Sequence, residues 1–287
     1  MICVICRKPA IRRSRYCPRC RPLILRVHGP GVKSRALRQA YDARLDAFRC
    51  QRSGVLLVLD DPADPFHLRW DHYGPGSNGA MEVTCELFAS MRAGLSGLEF
   101  ETLIWALAGH RRGRSFPKVD LDPRGWPERW QPREAAGGNG CVVCGHPTSA
   151  SYCPRCRRLV GRGGTAVRVA ALRKAWRPDK DGFVCHYTGV VLDHGGPWGV
   201  AFDERVPGGS TVVAAEWVRR MKRGLSERDF RAVVREERRH LRTGRPFDRY
   251  VAKFEHWRGS ASSAGGRRSG GRSTARAAAG SSSGESH

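Results

Sequence analysis

Hydrophobic positions along the first half of the chain change period several times, and each period predicts an element. Leu37, Tyr41, Leu45 and Phe48 fall at helical spacing, with Arg35, Arg38 and Arg44 off that stripe, which predicts an amphipathic helix over residues 32–48. The tyrosine and phenylalanine belong to a core on this reading, and the arginines face phosphate or water. After Gly54 the run Val55-Leu56-Leu57-Val58-Leu59 has strand length, and Pro and Asp mark residues 60–65 as a loop. A second strand over 66–70 delivers Asp71-His72 at its end. A wide loop, Tyr73-Gly74-Pro75-Gly76-Ser77-Asn78-Gly79, follows. Residues 81–85 predict a short return strand and 86–92 a helix. Ser96-x-x-Glu99 is a capping-box signature, and Phe100, Leu103, Ile104 and Leu107 form the stripe of the helix it starts. That helix runs out near His110, beside Arg111, Arg112 and Arg114; His110 and its later counterpart His240 fit the C-terminal ends of helices.

The pattern then starts again. Tyr16-Cys17-Pro18-Arg19-Cys20-Arg21 recurs unchanged as Tyr152-Cys153-Pro154-Arg155-Cys156-Arg157. Ala171-Leu172 matches Ala36-Leu37, Cys185 matches Cys50, and Phe202-Asp203-Glu204 matches Trp70-Asp71-His72. Pro207-Gly208 matches Pro75-Gly76, and Met221-Lys222-Arg223-Gly224-Leu225-Ser226 matches Met91-Arg92-Ala93-Gly94-Leu95-Ser96. These matches in register predict a tandem duplication. Repeat 1 spans 1–116 and repeat 2 spans 141–257. Residues 117–140, with four prolines, four glycines and no sustained period, are expected to be a linker.

Cysteine spacing adds chemistry to the start of each repeat. Cys3, Cys6, Cys17 and Cys20 form two Cys-x-x-Cys knuckles, and Cys141, Cys144, Cys153 and Cys156 form two more. Each knuckle sets two sulfurs on one side of a tight turn, so facing knuckles complete a tetrahedron for structural Zn2+. Zinc ribbons are therefore expected over 1–24 and 141–160. Eight of the eleven cysteines are used in this way. With no export signal beside them, zinc in a cytoplasmic protein is the expectation rather than disulfides. Cys50, Cys85 and Cys185 are left as small core residues.

Charge narrows the partner. Fifty-one Lys and Arg against 27 acids give a net charge of +24. Such an excess favours a polyanion, DNA or RNA, through counterion release. No apolar run is long enough for a membrane span. Residues 258–287 hold Gly, Ser, Ala and Arg without an aromatic or branched aliphatic residue, and are expected to be a disordered cationic tail.

Strand, Asp-His, wide loop, strand and helix is the order of a ββα-metal finger. On these residues each repeat resembles an HNH (His-Me finger) nuclease unit behind a zinc ribbon, over 50–116 and 183–257. The resemblance rests on Cys185-His186-Tyr187-Thr188-Gly189-Val190, on Phe202-Asp203 with Pro207-Gly208 and on Met221 to Ser226, and in repeat 1 on Trp70-Asp71-His72 with Pro75-Gly76. It implies an α+β fold of tandem zinc ribbon, helix and ββα finger. It also implies an endonuclease using Mg2+ or Mn2+, with His72 as general base and Asp71 on the metal. The finger helices, however, lack the Asn and His of that family. Glu86 and Glu216 are shared acids, fitted either to replace a missing oxygen ligand or simply to favour the helix dipole. Glu204 stands where His72 would be, which makes repeat 2 the degenerate copy. Repeat 2 carries Arg219, Arg220, Lys222, Arg223, Arg238 and Arg239 against Arg92, Arg111 and Arg112 in repeat 1. This predicts chemistry in repeat 1 and DNA grip in repeat 2. The alternative is a non-catalytic zinc protein whose fingers only bind nucleic acid.

Overall fold

A computed structural model describes residues 1–25, 30–72, 81–92, 94–110, 116–131, 138–161, 165–255 and 257. The loop after His72, Arg111, Arg112 and the tail from residue 258 lie outside the described residues. The fold is α+β, with helices packed, among the described residues, on four small antiparallel two-stranded sheets.

From the first cysteine loop the chain enters α1 (Cys20–Leu25) and α2 (Pro30–Ala40), then pairs β1 (Tyr41–Asp42) with β2 (Ala47–Phe48). The helix expected to reach residue 48 therefore stops at Ala40. Asp42 ends it, because its carboxylate accepts from the amides of Arg44 (3.0 Å) and Leu45 (3.4 Å) and offers the backbone a turn instead. Tyr41 and Phe48, seven positions apart, still share a face, but as ring neighbours 5.5 Å apart across a hairpin. Residues 55–59 form only isolated bridges, Arg49 with Leu56 and Val58 with His67, although Val55 and Leu57 are buried as a strand pattern requires.

The next hairpin carries Asp71. β3 (Leu68–His72) runs antiparallel to β4 (Met81–Cys85), with Asp71 opposite Glu82 and His72 opposite Met81. It starts two residues later than the apolar pattern predicts, because the Asp64 carboxylate accepts from the Phe66 amide and its carbonyl from the His67 amide. α3 (Glu86–Arg92) follows directly, and α4 (Gly97–Gly109) begins at a complete capping box of Ser96 and Glu99. His110 caps the far end of α4 through its backbone N–H.

After residue 138 the same order of elements returns. α5 (Pro154–Val160) and α6 (Ala166–Ala175) lead to β5 (Trp176–Arg177), paired with β6 (Gly182–Phe183). β7 (Val200–Glu204) then pairs with β8 (Thr211–Ala215), and α7 (Glu216–Lys222) and α8 (Glu227–Thr243) complete the order. Gly244 closes α8 at φ +66°, a left-handed position that a residue without Cβ takes without strain.

The two halves share one core, with α3 packed on α7 and α4 on α8. Residues 117–131, within the expected linker, and Phe116 just before them pack against the core. They contain no helix or strand, but Phe116, Leu121 and Trp126 are buried, and Val119 accepts from the Trp198 indole at 3.0 Å. Proline and glycine content removes regular hydrogen bonding from such a segment without removing its apolar anchors. Cys50, Cys85 and Cys185 are all buried, as small core residues should be. Glu237 of α8 is fully buried, with neither carboxylate oxygen hydrogen-bonded among the described residues, and burial pushes its carboxyl well above the usual range.

Phe247 stands edge-on to Phe88 with ring centres 5.2 Å apart and is 3% exposed. Phe247→Ala should cost about 3–5 kcal/mol, measured by denaturant unfolding. Tyr250→Ala should leave the midpoint unchanged, because Tyr250 is 85% exposed.

Candidate metal centres and nucleic-acid interface

Each Cys-x-x-Cys loop turns tightly enough to aim both sulfurs inward. In the first, Arg7 N–H donates to the Cys3 carbonyl; in the later one Gly145 N–H donates to the Cys141 carbonyl. The facing knuckles open α1 and α5, through Cys17 and Cys20 and through Cys153 and Cys156. The four sulfurs of each group lie within 4.8 Å of one another. Sulfur separations of 3.4 Å for Cys6 and Cys17, 3.7 Å for Cys6 and Cys20, 3.6 Å for Cys144 and Cys153, and 3.5 Å for Cys144 and Cys156 come close to the edge of a zinc–thiolate tetrahedron, about 3.8 Å. Burial works against ionisation, yet surrounding backbone N–H groups hold the Cys3 thiol at about 6 and the Cys141 thiol at about 7. Burial and neighbouring sulfurs push Cys20 and Cys156 well up. A divalent cation between the sulfurs resolves that conflict, so both groups are compatible with structural zinc.

The two hairpins bring different chemistry together. Asp71 does lie at a strand end, but the last turn of α3 places the Arg92 guanidinium against it. Arg92 reaches the Asp71 carboxylate at 2.8 Å and that of Glu82 at 3.3 Å, and also donates to the His72 carbonyl. Its side chain is 4% exposed. In the second hairpin the equivalent residues repeat the arrangement. Lys222, 1% exposed, sits 3.2 Å from the Asp203 carboxylate and also donates to the Glu204 carbonyl. Tyr187 donates to Asp203 at 2.5 Å; burial and that carboxylate keep its phenol protonated well beyond the usual range. In both hairpins, then, a side-chain cation from the following helix occupies the space beside the aspartate.

Glu86 does not join Asp71. Its carboxylate pairs with Arg69 at 3.1 Å and accepts from Ser90 at 3.1 Å. Glu216 pairs with Arg219 and, at 3.0 Å, with Arg220 on its own helix, which holds its carboxyl below the usual range against burial. Both acids thus anchor helix starts. Among the described residues, only the two cysteine quartets gather three or more metal-ligating groups. His72 is exposed at the strand end.

The residues expected to touch phosphate divide into two sets. Arg92 and Lys222 point inward, a correction with a simple cause: each lies on the buried face of its helix, where an acid waits for it. Arg219, Arg220 and Arg223 remain at the surface and border an open groove of about 950 Å³, together with Phe202, Glu204 and Gly94 of the first half. Arg238 lies over the Trp105 ring at 4.9 Å, and Arg239 pairs with Glu236 while staying a third exposed. Sequence reasoning missed the internal cations. The signal was present: Arg92 and Lys222 are both basic at matching positions, whereas their neighbours Ala93 and Arg223 differ in charge.

The chain matches no known family model, curated protein or solved structure. What the two hairpins do must therefore be argued from their own geometry.

Zinc content should be two ions per chain by elemental analysis, and Cys20→Ser should reduce it to one and lower the melting temperature. Lys222→Ala leaves Asp203 buried without its cation and should cost about 3–5 kcal/mol. Lys222→Met combined with Asp203→Asn should recover part of that loss in the same unfolding assay.

Proposed function

We propose that this is a zinc-stapled nucleic-acid-binding protein whose two ββα fingers are of HNH type but bind without cutting. One observation carries the reading: Arg92 on Asp71 and Lys222 on Asp203. A nuclease finger needs its acid free to hold a divalent ion that stabilises the leaving oxygen. Here the acid is already neutralised by a positive group with no open coordination position. A guanidinium or ammonium can stabilise the finger as a metal ion would, but it cannot activate water or shift its ligands during a reaction.

The remaining surface fits a polyanion. A net charge of +24 supplies the attraction, and Arg219, Arg220 and Arg223 put part of it along one groove. Cation–aromatic stacking of Arg220 on Trp126 at 4.2 Å holds one of these side chains in place, so less freedom is lost when phosphate arrives.

The test pairs two assays on the zinc-loaded protein. Plasmid DNA should be retarded in a gel, with a binding constant that falls steeply with salt. Arg223→Gln should reduce that slope by roughly one unit. In Mg2+ or Mn2+ the plasmid should stay intact with wild type and with His72→Ala alike. Cleavage that His72→Ala abolishes would replace this reading with an active endonuclease in the first half, and absence of any binding would overturn it.

A further inference from the structure

The contacts between the two halves are reciprocal. α3 packs on α7 and α4 on α8, so each helix meets the one in its own place in the other half. The segments leaving α4 and α8 make the same exchange. Phe116 sits against Trp198 and Trp217 of the second half, with ring centres 6.2 and 6.1 Å away. Phe247 sits against Phe66 and Phe88 of the first half, at 6.2 and 5.2 Å. Two residues on, Lys118 lies over the Trp198 ring and pairs with Asp193 at 2.7 Å. Two residues past Phe247, Arg249 lies over the Phe66 ring and pairs with Asp64 at 3.1 Å. Each arm then ties back to the start of its own long helix: Asp122 N–H donates to Glu99, and Lys253 N–H donates to Asp229.

In an isologous interface residue i meets j and j meets i, which is the property of a two-fold axis. From these paired contacts we infer that the chain is the single-chain counterpart of a two-fold dimer with exchanged arms, and that its partner is a nucleic-acid duplex engaged across that axis. The inference rests on the nucleic-acid reading above. A duplex has dyads relating its antiparallel strands, so the two fingers can meet equivalent backbone on both strands. A single strand has no dyad and can satisfy only one half. The groove belongs mainly to the second half, with Gly94, which follows α3, as the point where the first half reaches it. The arrangement is symmetric in fold but not in charge. Arg219, Arg220 and Arg223 stand where the first half has Ala89, Ser90 and Ala93, so the second half should grip its half of the duplex more tightly.

The test uses the full-length, zinc-loaded chain with a DNA duplex of about 30 base pairs, enough for two half-sites and flanks, and with either of its strands alone. Sedimentation should show a free monomer and a complex of one chain per duplex. Affinity for the duplex should exceed that for the single strand by at least about tenfold at equal salt, a difference of about 1.4 kcal/mol. Hydroxyl-radical footprinting should protect both strands about a dyad, more strongly on one side, and Arg223→Gln should weaken the stronger side first. Equal affinity for the single strand, protection of one strand only, or two chains per footprint would overturn the two-fold engagement while leaving nucleic-acid binding intact. Binding to neither probe would sink both readings.

Discussion

A charge taken out of water must find its opposite, and that requirement governs the two hairpin–helix units of this protein. Arg92 and Lys222 are almost fully buried, and carboxylates of the preceding hairpin receive them: Asp71 and Glu82 for Arg92, Asp203 for Lys222. The pair joins α3 or α7 to the hairpin before it, with a further hydrogen bond from the cation to the last carbonyl of the strand. It also consumes the carboxylate. Holding the helix to the hairpin and binding a divalent ion would draw on the same carboxylate, which here faces the helix cation.

Cysteine quartets do comparable work at the start of each half. Among the described residues none of the four sheets exceeds two strands, and the ribbons β1–β2 and β5–β6 pair only two residues per strand, too little for independent stability. Thiolates around zinc would fix these small elements from outside, through α1 and α5. The shared core completes the structure from inside. Phe116 and Phe247 each leave one half and fill the other, so neither half buries its own aromatic set alone.

Much of the local structure was legible from the residues. The capping box at Ser96 and Glu99, the strand 81–85 and the helix 86–92 all appear where pattern and cap chemistry place them. Errors arose where a side chain competed with the backbone. Asp42 turned a helix into a hairpin, although Tyr41 and Phe48 kept their shared face. Asp64 delayed a strand by two residues. Residues 117–131 have the composition of a linker and the burial of a core element, because proline and glycine describe the backbone while Leu121 and Trp126 describe the packing.

By itself the sequence determined the two cysteine quartets, the recurring order of elements and the cationic character of the chain, since spacing, period and charge are properties of adjacent residues. Only the tertiary structure decided which partners Asp71, Asp203, Arg92 and Lys222 find. Asp71 and Arg92 are twenty-one positions apart and Asp203 and Lys222 nineteen, and no local rule says whether such a pair meets. Each meets because the hairpin and the following helix fold back on one another and exclude water between them. Until that happens an aspartate at a strand end serves equally as a metal ligand or as the partner of a buried cation.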